Sequence, residues 1–347
     1  MSNKIRWGVI GSGGIARRRT IPEGIAKASN AVLAAVFDTD ANANAEVAKQ
    51  FKATPAGSLH ELLAMDTDAV YVATPAHLHY DHVQACAKAG KHVFCEKPLG
   101  MTVAQAEEMI ESCDRRGVQL GCAFMMRFVA QHQEALKLIQ QDRLGRPVYA
   151  RAQLSCWYPP ILNAWRQDPT TGGGGSLMDM GGHCIDLLEM FFGKIARVSC
   201  LIGNTIHNYR SEDSAVATLF FESGALATVD TFFCIPDAGS KNVLELYGSK
   251  GSILAQGTIG QGPAGKMVAF LEGDNRAYDA QQARAADQGV AINPKPVNTY
   301  QAEIEEFSQA IIENRPPRIG GELGLRSQKI LAACYESARS GQVVTVV

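Results

Sequence analysis

In the first third of the chain, short apolar runs alternate with amphipathic ones. Residues 5–10 (IRWGVI), 32–37, 69–73 and the run ending in HVFCE have the length and composition of buried strands. The AEVAKQF and SLHELLA segments between them carry apolar residues at helical spacing. Strand and helix in alternation predict a parallel, doubly wound sheet. After FMMRF at 124–128 and a helix over 132–141, the pattern changes to successive strands at 148–157, 198–206, 214–221, 226–233, 243–248, 252–255 and 267–271. Glu222-Ser223-Gly224 is a good hairpin connection, and the whole predicts a broad antiparallel sheet. Residues 273–296 read as an irregular loop. A helix over 298–314, broken by Arg315-Pro316-Pro317, and a last helix over 321–340 close the pattern, the last expected to return to the first domain.

One stretch departs from both patterns. Residues 172–193 read GGGGSLMDMGGHCIDLLEMFFG: a glycine loop, Ser176 as the expected N-cap, and a helix stopped at Gly193. At 3.6 residues per turn Asp179, His183 and Asp186 fall on one stripe of an otherwise apolar helix. A carboxylate, imidazole, carboxylate stripe is costly to bury unless it faces a cavity or partners. Gly181 and Gly182, costing about 1 kcal/mol each relative to alanine inside a helix, predict that cofactor or substrate approaches this backbone closely. Taken alone, the stripe fits a buried, hydrogen-bonded His and Asp pair equally well.

Composition narrows the partners. A chain of 347 residues accommodates two ordinary domains, and a net charge of −2 argues against a polyanionic partner. No basic cluster exceeds Arg17-Arg18-Arg19, so neither nucleic acid nor an anionic membrane is expected. No targeting segment precedes the first strand and no run has the length of a membrane span, which predicts a soluble, cytoplasmic protein. Nine cysteines without CxxC spacing read as reduced core residues rather than a zinc cage or disulfide framework.

The chemistry begins where the first strand meets Gly11-Ser12-Gly13-Gly14-Ile15-Ala16, a GxGxxA turn. Its first glycine permits the tight turn, the second lets a pyrophosphate approach the backbone, the small third residue packs helix on strand, and the helix N-terminus receives the phosphates. The second strand ends at Asp38, about 20 residues on, where dinucleotide folds place the acid that binds the adenosine ribose. Asp38 repels a 2′-phosphate, so NAD is expected ahead of NADP, although an arginine of the 17–19 run keeps NADP open. Thr74-Pro75 ends a later strand beside the expected cofactor. The following HLHYDH segment, with His77, His79, Asp81 and His82, is a poor metal site because helical spacing puts at most two of its histidines on one face. Glu96-Lys97-Pro98 ends the next strand, and proline restricts the residue before it, so Lys97 is expected to point into the crevice. A lysine there hydrogen-bonds a reacting hydroxyl and favours its alkoxide.

GxGxxA, EKP and a helical DxxxH in this order resemble the glucose-fructose oxidoreductase and inositol dehydrogenase family, written Gfo/Idh/MocA. The resemblance extends through ATPAHLHYDHVQACAKAGKHVFCEKPLG, FMMRF, WRQDPTTGGGGSLMDMGGHCIDLL and YESARSGQVV, nearly the whole chain. It implies an N-terminal Rossmann domain and a C-terminal α/β domain with a large, mostly antiparallel open sheet. It also implies an NAD(P)-dependent oxidoreductase of sugars, polyols or related compounds. Lys97 matches the family's EKP lysine, and Asp179 and His183 match its helical aspartate and catalytic histidine. Ala76, where relatives often have Asn, and Met126, where many have Tyr, put cofactor contacts and substrate shape in doubt.

The expected organisation is a dinucleotide-binding domain over 1–123, a substrate and oligomerisation domain over 124–320, and a C-terminal helix and tail over 321–347. Lys97, Asp179 and His183 are the expected catalytic set. The expected cofactor contacts are Gly11, Gly13, Gly14, Ile15, Ala16, Asp38, Thr74, Pro75, His79, Glu96 and Lys97. The substrate contacts are Arg127, Trp165 and Arg166 with Asp179 and His183, Arg127 being equally readable as a domain-interface ion pair. His183 takes the hydroxyl proton as hydride leaves; Asp186 reads as structural support. Two alternatives use the same residues: a glycoside hydrolase or lyase working by transient oxidation on NAD, and a non-catalytic dinucleotide sensor. By resemblance, the second sheet forms a homodimer or homotetramer.

Overall fold

The computed structural model describes residues 4–262, 265–271 and 289–347. The first sheet contains β1 (Ile5–Ile10), β2 (Ala31–Phe37), β3 (Thr54–Pro55), β4 (Ala69–Val72), β5 (His92–Glu96) and β6 (Leu120–Ala123). All its pairs are parallel and the order is β3-β2-β1-β4-β5-β6. Chain order reverses between β1 and β4, and the crevice at a strand-order reversal is where doubly wound sheets bind ligands. The strands are nearly continuous in apolar residues because helices cover both faces. Tyr71, Trp7 and Phe94 are fully buried there.

The second sheet comprises β7 (Pro147–Ser155), β8 (Ile195–Gly203), β9 (Ser214–Phe221), β10 (Leu226–Phe232), β11 (Val243–Gly248), β12 (Gly251–Gln256), β13 (Lys266–Leu271), β14 (Val290–Ala291) and β15 (Val344–Thr345). Its order is β14-β13-β12-β11-β7-β10-β9-β8-β15. The pairs are antiparallel except β7 with β10, which makes the sheet mixed rather than purely antiparallel. One face packs on the helix that follows the glycine loop: Leu187, Leu188 and Ile185 join Ala152, Ala217 and Ala227 in one core. β14 falls within the loop expected over 273–296, of which residues 273–288 lie outside the described residues.

The return to the first domain starts earlier than residue 321. The helix Thr299–Ile312, assigned to the second domain in the sequence reading, packs on the first sheet. Phe307 stacks on Phe94 with ring centroids 4.9 Å apart, and Trp7 Nε1 donates to Ser308 Oγ at 3.1 Å. A β-carbon at Gly121 would lie 2.6 Å from Phe94 and 2.7 Å from Phe307, so only glycine admits this helix. Each fully buried aromatic contributes about 1.5–3 kcal/mol, enough to decide which sheet the helix joins. The last helix, Gly321–Ser340, then spans both units. Gly324 lies against Leu99 and Cys122 of the first, while Ser337 Oγ accepts from Cys200 N of the second at 3.0 Å.

Candidate active site

A cavity of about 1050 Å³ runs between the two sheets, from the turn after β1 to the helix after the glycine loop. At one end Gly11, Gly14 and Ile15 form its wall, beside Asp38, Thr74 and Pro75; Glu96 and Lys97 line the cavity further along. Gly11 has φ +83°, and a β-carbon there would sit 2.8 Å from the Ala73 carbonyl. The turn therefore requires glycine. Gly14 faces open space, with no protein atom within 4 Å of where its β-carbon would stand. Gly13 N–H donates to Asp38 Oδ2 at 2.7 Å, while Ala16 is fully buried behind the turn, packing the helix on the sheet. These two shape the turn rather than the wall. The cradle at Gly14, the carboxylate at the end of β2 and the size of the cavity fit a dinucleotide.

The opposite end is built on the helical stretch Leu177–Phe192, which begins as a wide π-type turn over Leu177–Gly181 and continues as α-helix over Gly182–Phe192. Asp179 and His183 both line the cavity. Lys97, held at the end of β5 before a cis peptide to Pro98, donates from Nζ to Asp179 Oδ1 and to the Asp179 carbonyl, both at 2.7 Å. Arg166 Nε donates to the same Oδ1 at 3.0 Å, and its guanidinium stacks on Trp165 4.1 Å from the ring centroid. Burial alone would push the Asp179 carboxyl up, but Arg166 and Lys97 hold it far below the usual carboxylate range. Asp179 is therefore an anion shared by two cations. Burial, and then the Lys97 charge, pulls His183 down to about 3, so its ring is neutral at physiological pH.

Beneath the cavity floor lies a third feature. Tyr71 Oη donates to Glu96 at 2.5 Å and accepts from Thr20 at 3.1 Å. Burial pushes the Glu96 carboxyl up against the opposing pull of Tyr71 and Lys97. Glu303, fully buried on the returning helix, has no hydrogen-bond partner for either oxygen among the described residues, and burial followed by the Glu96 charge raises it well above the ordinary value. Burial of a lone carboxylate without a partner disfavours its ionised form, in the same direction as that shift.

Several expectations need correction. Ser176 does not cap the helix: its own backbone is already helical and its hydroxyl donates to the Thr231 carbonyl. The first N–H groups go instead to Glu212, whose Oε1 accepts from Gly175 N at 2.8 Å, Leu177 N at 3.0 Å and Tyr335 Oη at 2.9 Å. Gly181 and Gly182 do not open to a ligand. Their β-carbon positions face Leu177 and Thr231, and Ser327 and Leu331, inside the protein. The close approach occurs at Gly174 and Gly175, where β-carbons would lie 1.9 Å from the Tyr335 hydroxyl and the Glu212 carbonyl. The glycine loop is thus a packing device.

Arg127 is absent from the wall. Its Nε reaches both Asp186 oxygens at 2.9 and 2.8 Å, so the interface ion pair is the arrangement found and Asp186 supports Arg127, not His183. His79 is also off the wall, buried with both ring nitrogens against backbone carbonyls. Trp165 and Arg166 line the cavity, joined by Tyr158, Asp237 and Asn242, whereas Trp157 packs on His207 outside it. Glu212, Tyr335 and Glu303 carry no local signal: each is a single polar residue whose role depends on a neighbour far along the chain.

Comparison with known proteins agrees with this architecture. Residues 5–124 match the family model described as oxidoreductase family, NAD-binding Rossmann fold, and residues 136–346 match the C-terminal alpha/beta domain of the same family. The 1,5-anhydro-D-fructose reductase of Ensifer adhaerens is 30% identical over 345 residues, 98% of each chain. D-xylose 1-dehydrogenase (NADP(+)) 2 of Haloferax volcanii is 30% identical, over 97% of this chain and 98% of that protein. The crystal structure of aldose-aldose oxidoreductase from Caulobacter crescentus complexed with glycerol superposes with a TM-score of 0.86 at 26% identity, over 99% of both chains. With a glycine-turn cradle at one end of the cavity and the Lys97, Asp179 and His183 constellation at the other, the chain belongs to the Gfo/Idh/MocA family of NAD(P)-dependent oxidoreductases, which act on the CH–OH groups of sugars and polyols.

Proposed function

We propose that this protein exchanges a hydride between nicotinamide and a carbinol or carbonyl carbon of a sugar, an inositol-like polyol or a related carbohydrate, with NAD preferred to NADP. The observation that carries the reading is Lys97 Nζ at 2.7 Å from Asp179 Oδ1, one helical turn from His183, on the wall of a cavity that begins at the glycine turn. Bound nicotinamide supplies the hydride acceptor or donor. An ammonium has three donors, and Asp179 takes two of those on Lys97. The third is left to bind the reacting hydroxyl and stabilise negative charge growing on its oxygen. His183 Nδ1 is buried without a partner among the described residues, which leaves Nε2 to take the hydroxyl proton. A neutral ring is the form that accepts it. Asp179, pinned by Lys97 and Arg166 through Oδ1, presents Oδ2 to a second substrate hydroxyl. The aromatic faces of Trp165 and Tyr158 suit the apolar C–H surface of a sugar ring.

The test is a screen of purified protein with NAD and NADP against inositols, aldoses, sugar acids and glycosides. Reduced nicotinamide should accumulate in step with product. Release of sugar from a glycoside without net reduction would establish the transient-oxidation chemistry instead, and cofactor binding with no turnover anywhere would leave a sensor. NAD preference rests on Asp38 at the end of β2. Asp38→Ala should lose most discrimination between the two cofactors, and unchanged discrimination would refute its role.

A further inference from the structure

The HLHYDH segment takes no direct part in the hydride-transfer reading, yet its side chains are engaged. His77 Nδ1 lies 3.3 Å from the Thr171 carbonyl of the second domain, and His82 Nδ1 lies 3.1 Å from Thr74 Oγ1. His79 is only 1% exposed, with Nδ1 2.8 Å from the Pro98 carbonyl and Nε2 2.9 Å from the Thr74 carbonyl. Both oxygens are acceptors. Burial pulls the imidazole down to about 4, so at neutral pH the ring has one N–H to offer two carbonyls.

The two carbonyls differ in how firmly they are otherwise held. Thr74 is flanked by Ala73 N–H donating to Ile10 at 2.9 Å and by the Pro75 carbonyl accepting from Leu78 at 3.0 Å, and its side chain meets His82. The ladder that carries Lys97 ends at the Glu96 and Ala123 pair, and proline 98 has no N–H with which to extend it. The peptide just after Lys97 is where an anchor is needed.

We propose that His79 is the positioning residue for Lys97: its ring proton sits on Nδ1 and donates to the Pro98 carbonyl, holding the Lys97–Pro98 turn against the helix His79–Lys88 and so fixing Lys97 Nζ opposite Asp179. This rests on the reading of Lys97 as the group that binds the reacting hydroxyl. The ring acts through the turn and touches neither cofactor nor substrate.

Two measurements test it. In the native protein labelled with 15N at the histidine rings, the His79 resonances, assigned by their loss in His79→Gln, should show the proton on Nδ1. A proton on Nε2 would overturn the proposal whether or not the enzyme turns over. The amide of asparagine stands close to the Nδ1 position and that of glutamine close to Nε2, so the pair of variants separates the two bonds. His79→Asn should keep kcat within about threefold of native, whereas His79→Gln should lose about tenfold, the scale of one hydrogen bond. NADH affinity should be unchanged in both. The reverse ranking, equal kcat in both variants, or a parallel loss of NADH affinity would defeat the assignment. If the native protein shows no turnover on any substrate, the hydride-transfer reading fails while the tautomer measurement still decides the brace.

Discussion

At the residue scale, His183 owes its neutrality to burial and to the Lys97 charge. With the ring drawn down to about 3, turnover in the oxidative direction should show no inflection near the ordinary imidazole value of about 6.5. A one-proton fall of kcat/KM through that pH, absent in a matched control, would contradict the assignment. His183→Ala should reduce kcat by at least about 100-fold with NAD affinity retained, the usual scale of general acid-base catalysis; near-native turnover would remove His183 from the chemistry. Glu303 offers a prediction on stability. Its folded value is raised, so above the unfolded value of about 4.3 the folded state keeps a proton that the unfolded chain has lost. Stability therefore falls as pH rises from there towards the folded value, by about 1.4 kcal/mol per pH unit. Glu303→Gln should flatten this slope, raising Tm relative to native at pH 8 and leaving it nearly unchanged at pH 4. Parallel slopes in calorimetry would show that Glu303 is ionised in the folded protein.

At the element scale, the Leu177–Phe192 stretch is held in place by groups outside itself. Its first N–H groups are satisfied by Glu212 and the loop before it is packed by Tyr335, so a residue 35 positions from Leu177 does what an N-cap normally does. Glu212→Ala leaves two buried N–H groups without a partner and should cost about 2–5 kcal/mol in urea unfolding, whereas Tyr335→Phe should cost about 1 kcal/mol. A change below about 0.5 kcal/mol in the first variant would mean that water replaces the carboxylate. The polar stripe itself was legible: the spacing of Asp179 and His183 along an apolar run required a polar neighbour or cavity. What the stripe faced was not, because Lys97 and Arg166 come from elements 82 and 13 residues away.

At the scale of the whole molecule, one face of the second sheet exposes several large apolar side chains. Leu201 pairs across the ladder with Val216, and Phe220 with Leu226, which pairs in turn with Tyr149. Leu201 is 75% exposed, Leu226 44% and Val216 42%. The Thr218 and Thr228 pair lies between these apolar positions, and we propose that the exposed apolar side chains of this face mark a surface for self-association. Leu201→Glu combined with Val216→Glu should shift the sedimentation of the protein to that of a monomer, and an unchanged oligomer would place the interface elsewhere. No helix among the described residues is long and apolar enough to cross a membrane.

The two sheets, the glycine turn, the acid at the end of β2, the lysine at the end of β5 and the Asp and His pair one turn apart were all legible along the chain. These depend on periodicity and on short spacings along one strand or helix, which a chain carries wherever it folds. Tertiary contacts alone show where helix 299–312 packs, that Arg127 pairs with Asp186, that His79 lies between the Thr74 and Pro98 carbonyls, and that the glycine pair within the helix faces the interior. Each depends on contacts between groups far apart in the chain, and local pattern shows that a face is buried without showing what it is buried against.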